Sequence, residues 1–377
     1  MSNIRIFVAG DYCASNPNSI QISDELKSVI DSCDVRCLNF EGPLSSNEWK
    51  APNNTRLRQS DLAPAWCESY GFQVVGLANN HLRDYGEQGI VNTINAFSDS
   101  ITLGAGNWAE AYTVKYLDVG GKRIGFFAAS SADLASLQDK WTDVTKLGSA
   151  WINHHSVNDI ISDAKAKCDY LIAFVHAGVE YMNIPLPEWR DRYRDLVDNG
   201  VDAIMGSHPH VIQGWENYKN HPIFYSLGNF FFDYFFDESK KPKQWDNGMA
   251  VVLNFEENGR ISVEPFLTKK IGNVITIDTT EESLDYFNSL CDILKDEKDY
   301  LSKVNEEVLY FYHRYMSWLL AGLSVTGFDN KGIKNKVKSL FKVMNPSLPN
   351  YSVALNQIRE ESSRYVLIRA LRLMSNR

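Results

Sequence analysis

Five short apolar runs in this chain each end on a side chain that can bind a metal ion. Ile6–Ala9 leads through Gly10 to Asp11, and Leu38–Phe40 leads to Glu41. Val74–Ala78 leads to Asn79, Asn80 and His81, Ala173–Val175 to His176, and Ala203–Ser207 to His208-Pro209-His210. Runs of this length, bounded by polar residues, read as buried strands. Helical patterns lie between them at Ser23–Ser32, Gln88–Ser98, Ser156–Lys167 and Pro187–Asn199. Strands alternating with helices imply an α/β sheet. In such sheets ligands bind in the crevice beyond the carboxyl ends of the strands. The same feature therefore limits both the fold and the place where its chemistry can sit.

Two segments read as hairpins instead. Tyr112–Val119 and Lys122–Ala129 flank Gly120-Gly121, a strong two-residue turn. Met249–Phe255 and Arg260–Leu267 flank Glu256–Gly259. Mixed sheets are thus expected. Beyond residue 280 the texture turns helical, at Glu281–Lys298, Ser302–Leu323, Lys331–Val343 and Ser352–Leu373. The expected organisation is an α/β domain over 1–280 and a helical C-terminal region over 281–377.

The ligand-type residues mix carboxylate oxygen with imidazole nitrogen. That mixture suits Mn, Fe or Zn better than Mg or Ca, which favour oxygen alone. Two divalent ions roughly 3.5–4 Å apart can share one bridging carboxylate, lower the pKa of a water and clamp a phosphoryl oxygen. Glu41 is the candidate bridge. Each residue taken singly has an ordinary reading: Gly10-Asp11 as a turn, Asn79-Asn80-His81 as a helix cap, His176 as a hydrogen-bonded core histidine. Two imidazoles either side of Pro209 are harder to explain by packing, and the five strand ends together point to a metal site.

Six motifs in order carry a family resemblance. They are Gly10-Asp11, Asn39-Phe40-Glu41, Ala78-Asn79-Asn80-His81 with Asp84 and Gly86, His176 through Tyr181, Gly206 through His210, and Tyr225 through Phe230. Over about residues 3–270 the chain resembles the CapA family of capsule poly-γ-glutamate biosynthesis proteins, within the calcineurin-like metallophosphatase superfamily. The resemblance implies a four-layer α/β/β/α sandwich with mixed sheets, to which the chain adds its C-terminal helical appendage. It implies one metal on Asp11, Glu41 and His210, and a second on Glu41, Asn80, His176 and His208. It makes His81 a general acid or charge stabiliser beside the leaving oxygen, oriented by Asp84. Three positions depart from the usual pattern: Cys13 stands in place of a histidine, Glu41 in place of an aspartate and Ala177 in place of a tryptophan.

The function expected on these grounds is metal-dependent hydrolysis of a phosphoester on a capsule or cell-surface polysaccharide precursor. Its substrate would be an anionic small molecule or glycan. Amide-bond or transfer chemistry on an anionic capsule polymer is the first alternative, and a non-catalytic polysaccharide-assembly module is the second. Arg56 and Arg58 could fork onto a substrate anion or stand as solvated surface groups. The aromatic stretch Tyr225–Phe236 suits a core strand or a sugar platform.

Charge divides the chain. Residues 331–377 carry ten Lys or Arg against Glu360 and Glu361, a balance of +8, which leaves −17 for residues 1–330 of the total of −9. The acidic body argues against nucleic acid. The basic tail, with Val337, Leu340 and Phe341 among its lysines, suits peripheral contact with an anionic membrane or a glycan-assembly partner. The opening MSNIRIFVAGD lacks the order of a secretory leader. No run of about eighteen apolar residues occurs. A cytoplasmic location, with membrane-peripheral contact, is therefore expected. The six cysteines form no CxxC pair and read as buried thiols.

Overall fold

The computed structural model describes residues 3–46, 56–138, 147–233, 241–256, 259–322, 355 and 358–375. The chain divides into two compact units. One comprises Met1–Ala51 with Thr55–Glu297, and the other Pro52–Asn54 with Lys298–Arg377.

The first unit is built on two large mixed sheets. One has nine strands, with Ile4–Cys13 near its middle. Ile4–Cys13 pairs in parallel with Val35–Phe40, which pairs in parallel with Val74–Gly76. On its other side Ile4–Cys13 runs antiparallel to Asn247–Phe255. The second sheet has six strands and centres on Tyr170–His176, parallel to both Lys122–Ser130 and Ala203–Ser207. The parallel strands of each sheet bring their carboxyl ends to one edge, and those ends carry the ligand-type residues. Both expected hairpins form. Gly120 and Gly121 have φ of 58° and 79°, as the mirror-image turn between right-twisted strands requires.

Side-chain alternation explains the layering. Ile6, Val8, Val35, Cys37 and Val74 join Phe126, Ile172, Phe174, Ala203 and Met205 in a core between the two sheets. The intervening residues Phe7, Ala9, Leu38, Phe40 and Val75 face the other way. There they pack with Leu26 and Ile30 of helix Asp24–Asp31, Trp66 of Ala63–Ser69 and Ile90 of Gly86–Ala96. Leu171, Ala173 and Val175 are likewise buried on the far side of the six-stranded sheet. Helices Val157–Lys165 and Pro187–Asp198 pack on that sheet, and the Tyr193 hydroxyl donates to the Val175 carbonyl at 3.4 Å. Strands buried on both faces read as unbroken apolar runs, which is why periodicity alone does not show which face is which. The order of layers is α/β/β/α.

Helix Glu281–Asp292 belongs to this unit, because Phe287 and Leu290 enter the core between the sheets. The compact unit thus continues past the change of texture at residue 280 as far as Glu297. The second unit contains most of helix Glu297–Gly322 and all of helix Glu361–Ser375. Val304, Val308, Phe311 and Tyr315 are buried at helical spacing on the first, and Val366, Leu367 and Ala370 on the second. Arg369 Nη1 donates to Asn305 Oδ1 at 3.4 Å between them. The helix expected over Lys331–Val343 lies outside the described residues. No described helix is long and apolar enough to cross a membrane.

One close approach holds the central strand in place. Asp11 N donates to the Gly228 carbonyl at 2.9 Å, and a Cβ on Gly10 would lie 2.1 Å from that same carbonyl oxygen. Gly10→Ala is expected to destabilise the protein by about 2–3 kcal/mol through overpacking against backbone that cannot step aside. Urea unfolding should read this as a lower midpoint, and a midpoint equal to wild type would refute the close packing.

Candidate metal centre

Asp11 sits at the end of the central strand, fully buried beside two other elements. Asn39 Nδ2 donates to its Oδ1 at 2.7 Å and the His208 backbone N–H donates to its Oδ2 at 3.1 Å. Glu41 follows the next strand and is also fully buried, yet neither of its carboxylate oxygens has a hydrogen-bond partner. A desolvated carboxylate with no donor is costly. Three imidazoles surround it instead. His176 Nε2 lies 3.9 Å from Glu41 Oε1, His210 Nε2 3.6 Å and His81 Nε2 3.9 Å.

These separations are too long for hydrogen bonds. Ligands about 2.1 Å from one shared ion stand roughly 3.0–3.4 Å apart, so a small inward movement onto a cation would bring them to ligand spacing. Donor atoms of Asp11, Glu41 and His176 all lie within 4.8 Å of one another. A second cluster of donors overlaps the first: His176 Nε2 is 2.9 Å from Asn80 Oδ1 and 3.2 Å from His208 Nδ1. His210 Nδ1 is 3.7 Å from Asp11 Oδ2. All six ligand-type residues read from the sequence therefore converge. Asp11 stands equally near both rings, with His176 Nδ1 3.7 Å from its Oδ1 and His210 Nδ1 3.7 Å from its Oδ2.

Electrostatics point the same way. Burial pushes Asp11 up to about 7 against the hydrogen bonds that favour its charge. Burial, followed by the charges of Asp11, Glu180 and Asp84, pushes Glu41 well above the usual carboxylate range. Burial and the neighbouring His208, His210 and His81 hold His176 well below ordinary imidazole. By themselves the acids are pushed toward their protonated forms and His176 toward its neutral form. Divalent cations reverse the preference of the acids, and neutral imidazole is the form that ligates. The buried, donor-free oxygens of Glu41 and the mixed O/N set both fit such ions.

His81 stands at the rim. Its Nδ1 is 2.6 Å from Asp84 Oδ2, which also accepts from Leu57 N at 2.8 Å. Burial alone would lower the His81 pKa. The Asp84 charge and hydrogen bond, with Glu180 and Asp133, outweigh it and leave the pKa raised. The ring thus points Nε2 inward and tends to keep its proton.

The scaffold around the ligands comes from residues that the sequence marked weakly or not at all. Asn79 is no helix cap. Its Nδ2 donates to the carbonyls of Phe40 and Leu77, while its Oδ1 accepts from Gly42 N and His81 N. It ties the Glu41 loop to the Asn80-His81 loop. Gln59 spans the ends of two strands, donating to the carbonyls of Tyr12 at 2.7 Å and Glu41 at 2.9 Å. Asn229 fixes a tautomer. Its Nδ2 donates to the Trp245 carbonyl, which turns Oδ1 toward His210 Nδ1 at 3.0 Å. Nδ1 must then carry the proton, leaving the Nε2 lone pair facing Glu41. Asn39 and Asn229 lay inside the recognised motifs; no spacing signal marked Gln59.

His208 and His210 have φ of 96° and 58°, a region that non-glycine residues rarely occupy. Such strain persists where surrounding structure over-determines it. Here it brings two imidazoles of one short loop to the same cluster, His208 against His176 and His210 against Glu41. Cys13 packs with Leu57, Phe232 and Trp245, and burial raises its thiol well above the ordinary value. Phe230, Phe231 and Phe232 are buried in strand Asn229–Phe232, so these three serve the core. Arg58 is exposed and Arg56 half-buried.

The family model for bacterial capsule synthesis protein PGA_cap matches residues 7–234. The chain belongs to that family. Among its relatives, "Capsule biosynthesis protein CapA" of Bacillus anthracis is 34% identical over 270 residues, covering 65% of this chain and 64% of the relative. "PGA biosynthesis protein CapA" of Bacillus subtilis is 32% identical over 221 residues, covering 55% of this chain and 56% of the relative. The chain thus spans between about half and two thirds of the relatives it matches. The solved structure of a "Putative 5'-Nucleotidase from Staphylococcus aureus" overlaps 77% of this chain and 58% of its own, with 16% identity and a TM-score of 0.46.

If Asn229 sets the His210 tautomer, Asn229→Ala should weaken metal binding by about 10–100-fold. Competition with a chelating dye measures it, and an unchanged affinity would remove Asn229 from the site.

Proposed function

We propose that this capsule-family chain is a two-metal phosphoester hydrolase acting on a capsule or cell-surface polysaccharide precursor or a related metabolite. The observation that carries the reading is Glu41, whose buried oxygens meet no hydrogen-bond donor and whose Oε1 lies 3.9 Å from His176 Nε2 and 3.6 Å from His210 Nε2. Asp11, Glu41 and His210 would hold one ion, and Glu41, Asn80, His176 and His208 the other. When bound, a pair of Mn, Fe or Zn ions supplies a water of lowered pKa and a positive clamp for the substrate's oxygens.

The protein's own groups do the rest. Asn39 and the His208 N–H orient Asp11. Ser207 Oγ and Asn39 lie against His176 Nδ1 at 3.0 and 3.2 Å, which leaves Nε2 for the site. Asp84 keeps a proton on His81, whose Nε2 can deliver it to the departing oxygen. A positioned acid of this kind contributes about 10²–10⁴-fold.

The relatives' printed names favour a second reading, amide-bond or transfer chemistry on an anionic capsule polymer, with the same metal site. A third, a non-catalytic assembly module, is distinguished by metal content. The protein purified with its metals should hold about two ions per chain. Glu41→Gln, which exchanges the central carboxylate for a neutral amide, should lose most of that metal together with hydrolysis of p-nitrophenyl and bis-p-nitrophenyl phosphate. A loaded wild type that cleaves γ-glutamyl amides and neither ester would overturn the phosphoester reading. A wild type that takes up no metal would support the assembly module.

His81→Ala tests the acid role through the leaving group. Phenyl phosphate needs a proton on its departing oxygen far more than p-nitrophenyl phosphate does. The variant should lose about 10²-fold or more on the first and much less on the second. Equal losses on both would assign His81 to charge stabilisation instead.

A further inference from the structure

Seven of the ten exposed large apolar side chains among the described residues fall in the second unit: Tyr310, Trp318, Leu355, Ile358, Ile368, Leu371 and Met374. Helix Glu361–Ser375 shows why this is a surface and not a scatter. Its buried face is Val366, Leu367 and Ala370. On the opposite face, at helical spacing, Ile368 is 46% and Leu371 47% exposed. Arg364 and Arg372 flank them. Arg364 stays by this face through hydrogen bonds from Nη1 to the carbonyls of Ile358 and Arg359. Apolar side chains thus lie on both sides of the helix; Arg369 borders the packed side through Asn305, and Arg364, 3.9 Å from Glu361, and Arg372 border the side that faces solvent.

We propose that the Arg364–Ile368–Leu371–Arg372 face is a docking surface for an anionic lipid bilayer, on which the helix lies in the interfacial plane. Charge selects this occupant. Residues 331–377 carry +8, and lysines 331, 334, 336, 338 and 342 have the same sign as the flanking arginines. Like charge therefore disfavours covering the face with the preceding lysine-rich stretch, or with the same face of a second copy. Apolar side chains inserted at headgroup depth beside arginines are what an anionic interface accepts, and two weak signals together give stable but reversible attachment. The −17 body is repelled by such a surface, so the helix is the part of the chain whose charge favours contact. The surface is independent of the metal centre.

Sedimentation with vesicles tests this on the full-length chain. Wild type should pellet with phosphatidylserine/phosphatidylcholine vesicles, stay in solution with pure phosphatidylcholine, and be released as salt rises from about 0.1 to 0.5 M. Ile368→Glu with Leu371→Glu should weaken binding at least about tenfold, and Arg372→Glu should weaken it and flatten its salt dependence. Both variants change exposed side chains, and an unaltered thermal midpoint checks that they fold. Wild type left in solution with anionic vesicles at low salt would overturn the proposal. So would a folded double variant that binds as well as wild type. Wild type that is dimeric without vesicles, with a monomeric double variant, would make the face a contact between copies and equally overturn it.

Discussion

A carboxylate removed from water with nothing to donate to it is among the least comfortable groups a protein can bury. Glu41 is such a group, and much of the surrounding structure reads as its consequence. It sits at the end of a strand whose neighbour delivers Asp11, and opposite a second sheet that delivers His176, His208 and His210. Bringing two carboxylates together here without a cation favours their protonated forms, and the same burial favours a neutral His176. With divalent ions the same arrangement becomes a stable set of ligands.

Holding such groups apart at ligand distance requires a frame that cannot relax. Part of that frame is the core between the sheets, where apolar side chains of both interlock just behind the site. Amides supply the rest: Asn79 joins two site loops, Gln59 joins two strand ends, and Asn39 and Asn229 orient a carboxylate and an imidazole. An amide offers donor and acceptor together and carries no charge to compete with the metals. The left-handed backbone at His208 and His210 is held within the same frame.

The C-terminal helices follow a different logic. Their buried positions keep helical spacing, but they also leave large apolar side chains in solvent, and helix Glu361–Ser375 carries three arginines against Glu361 alone. The α/β unit confines its chemistry to one buried edge, whereas the helical unit presents its distinctive groups outward.

The sequence by itself determined the strands, the edge at which they end and the kinds of side chain placed there. Buried strands must be apolar runs, and a polar side chain just beyond one must meet the crevice, so Asp11, Glu41, His176 and His208 were legible from local order. Most helix boundaries were legible for similar reasons, as with Ser23 accepting from Leu26 N at the start of Asp24–Asp31. Only the tertiary structure decided the rest. It separated Asn80, beside His176, from Asn79, the clamp, although the two are adjacent and chemically identical. It placed Asn229 on His210 and gave Gln59 its role, and it assigned helix Glu281–Asp292 to the core between the sheets. These outcomes depend on partners tens to hundreds of residues distant. A local pattern shows that a side chain must be satisfied, but only the packed chain brings up the group that satisfies it.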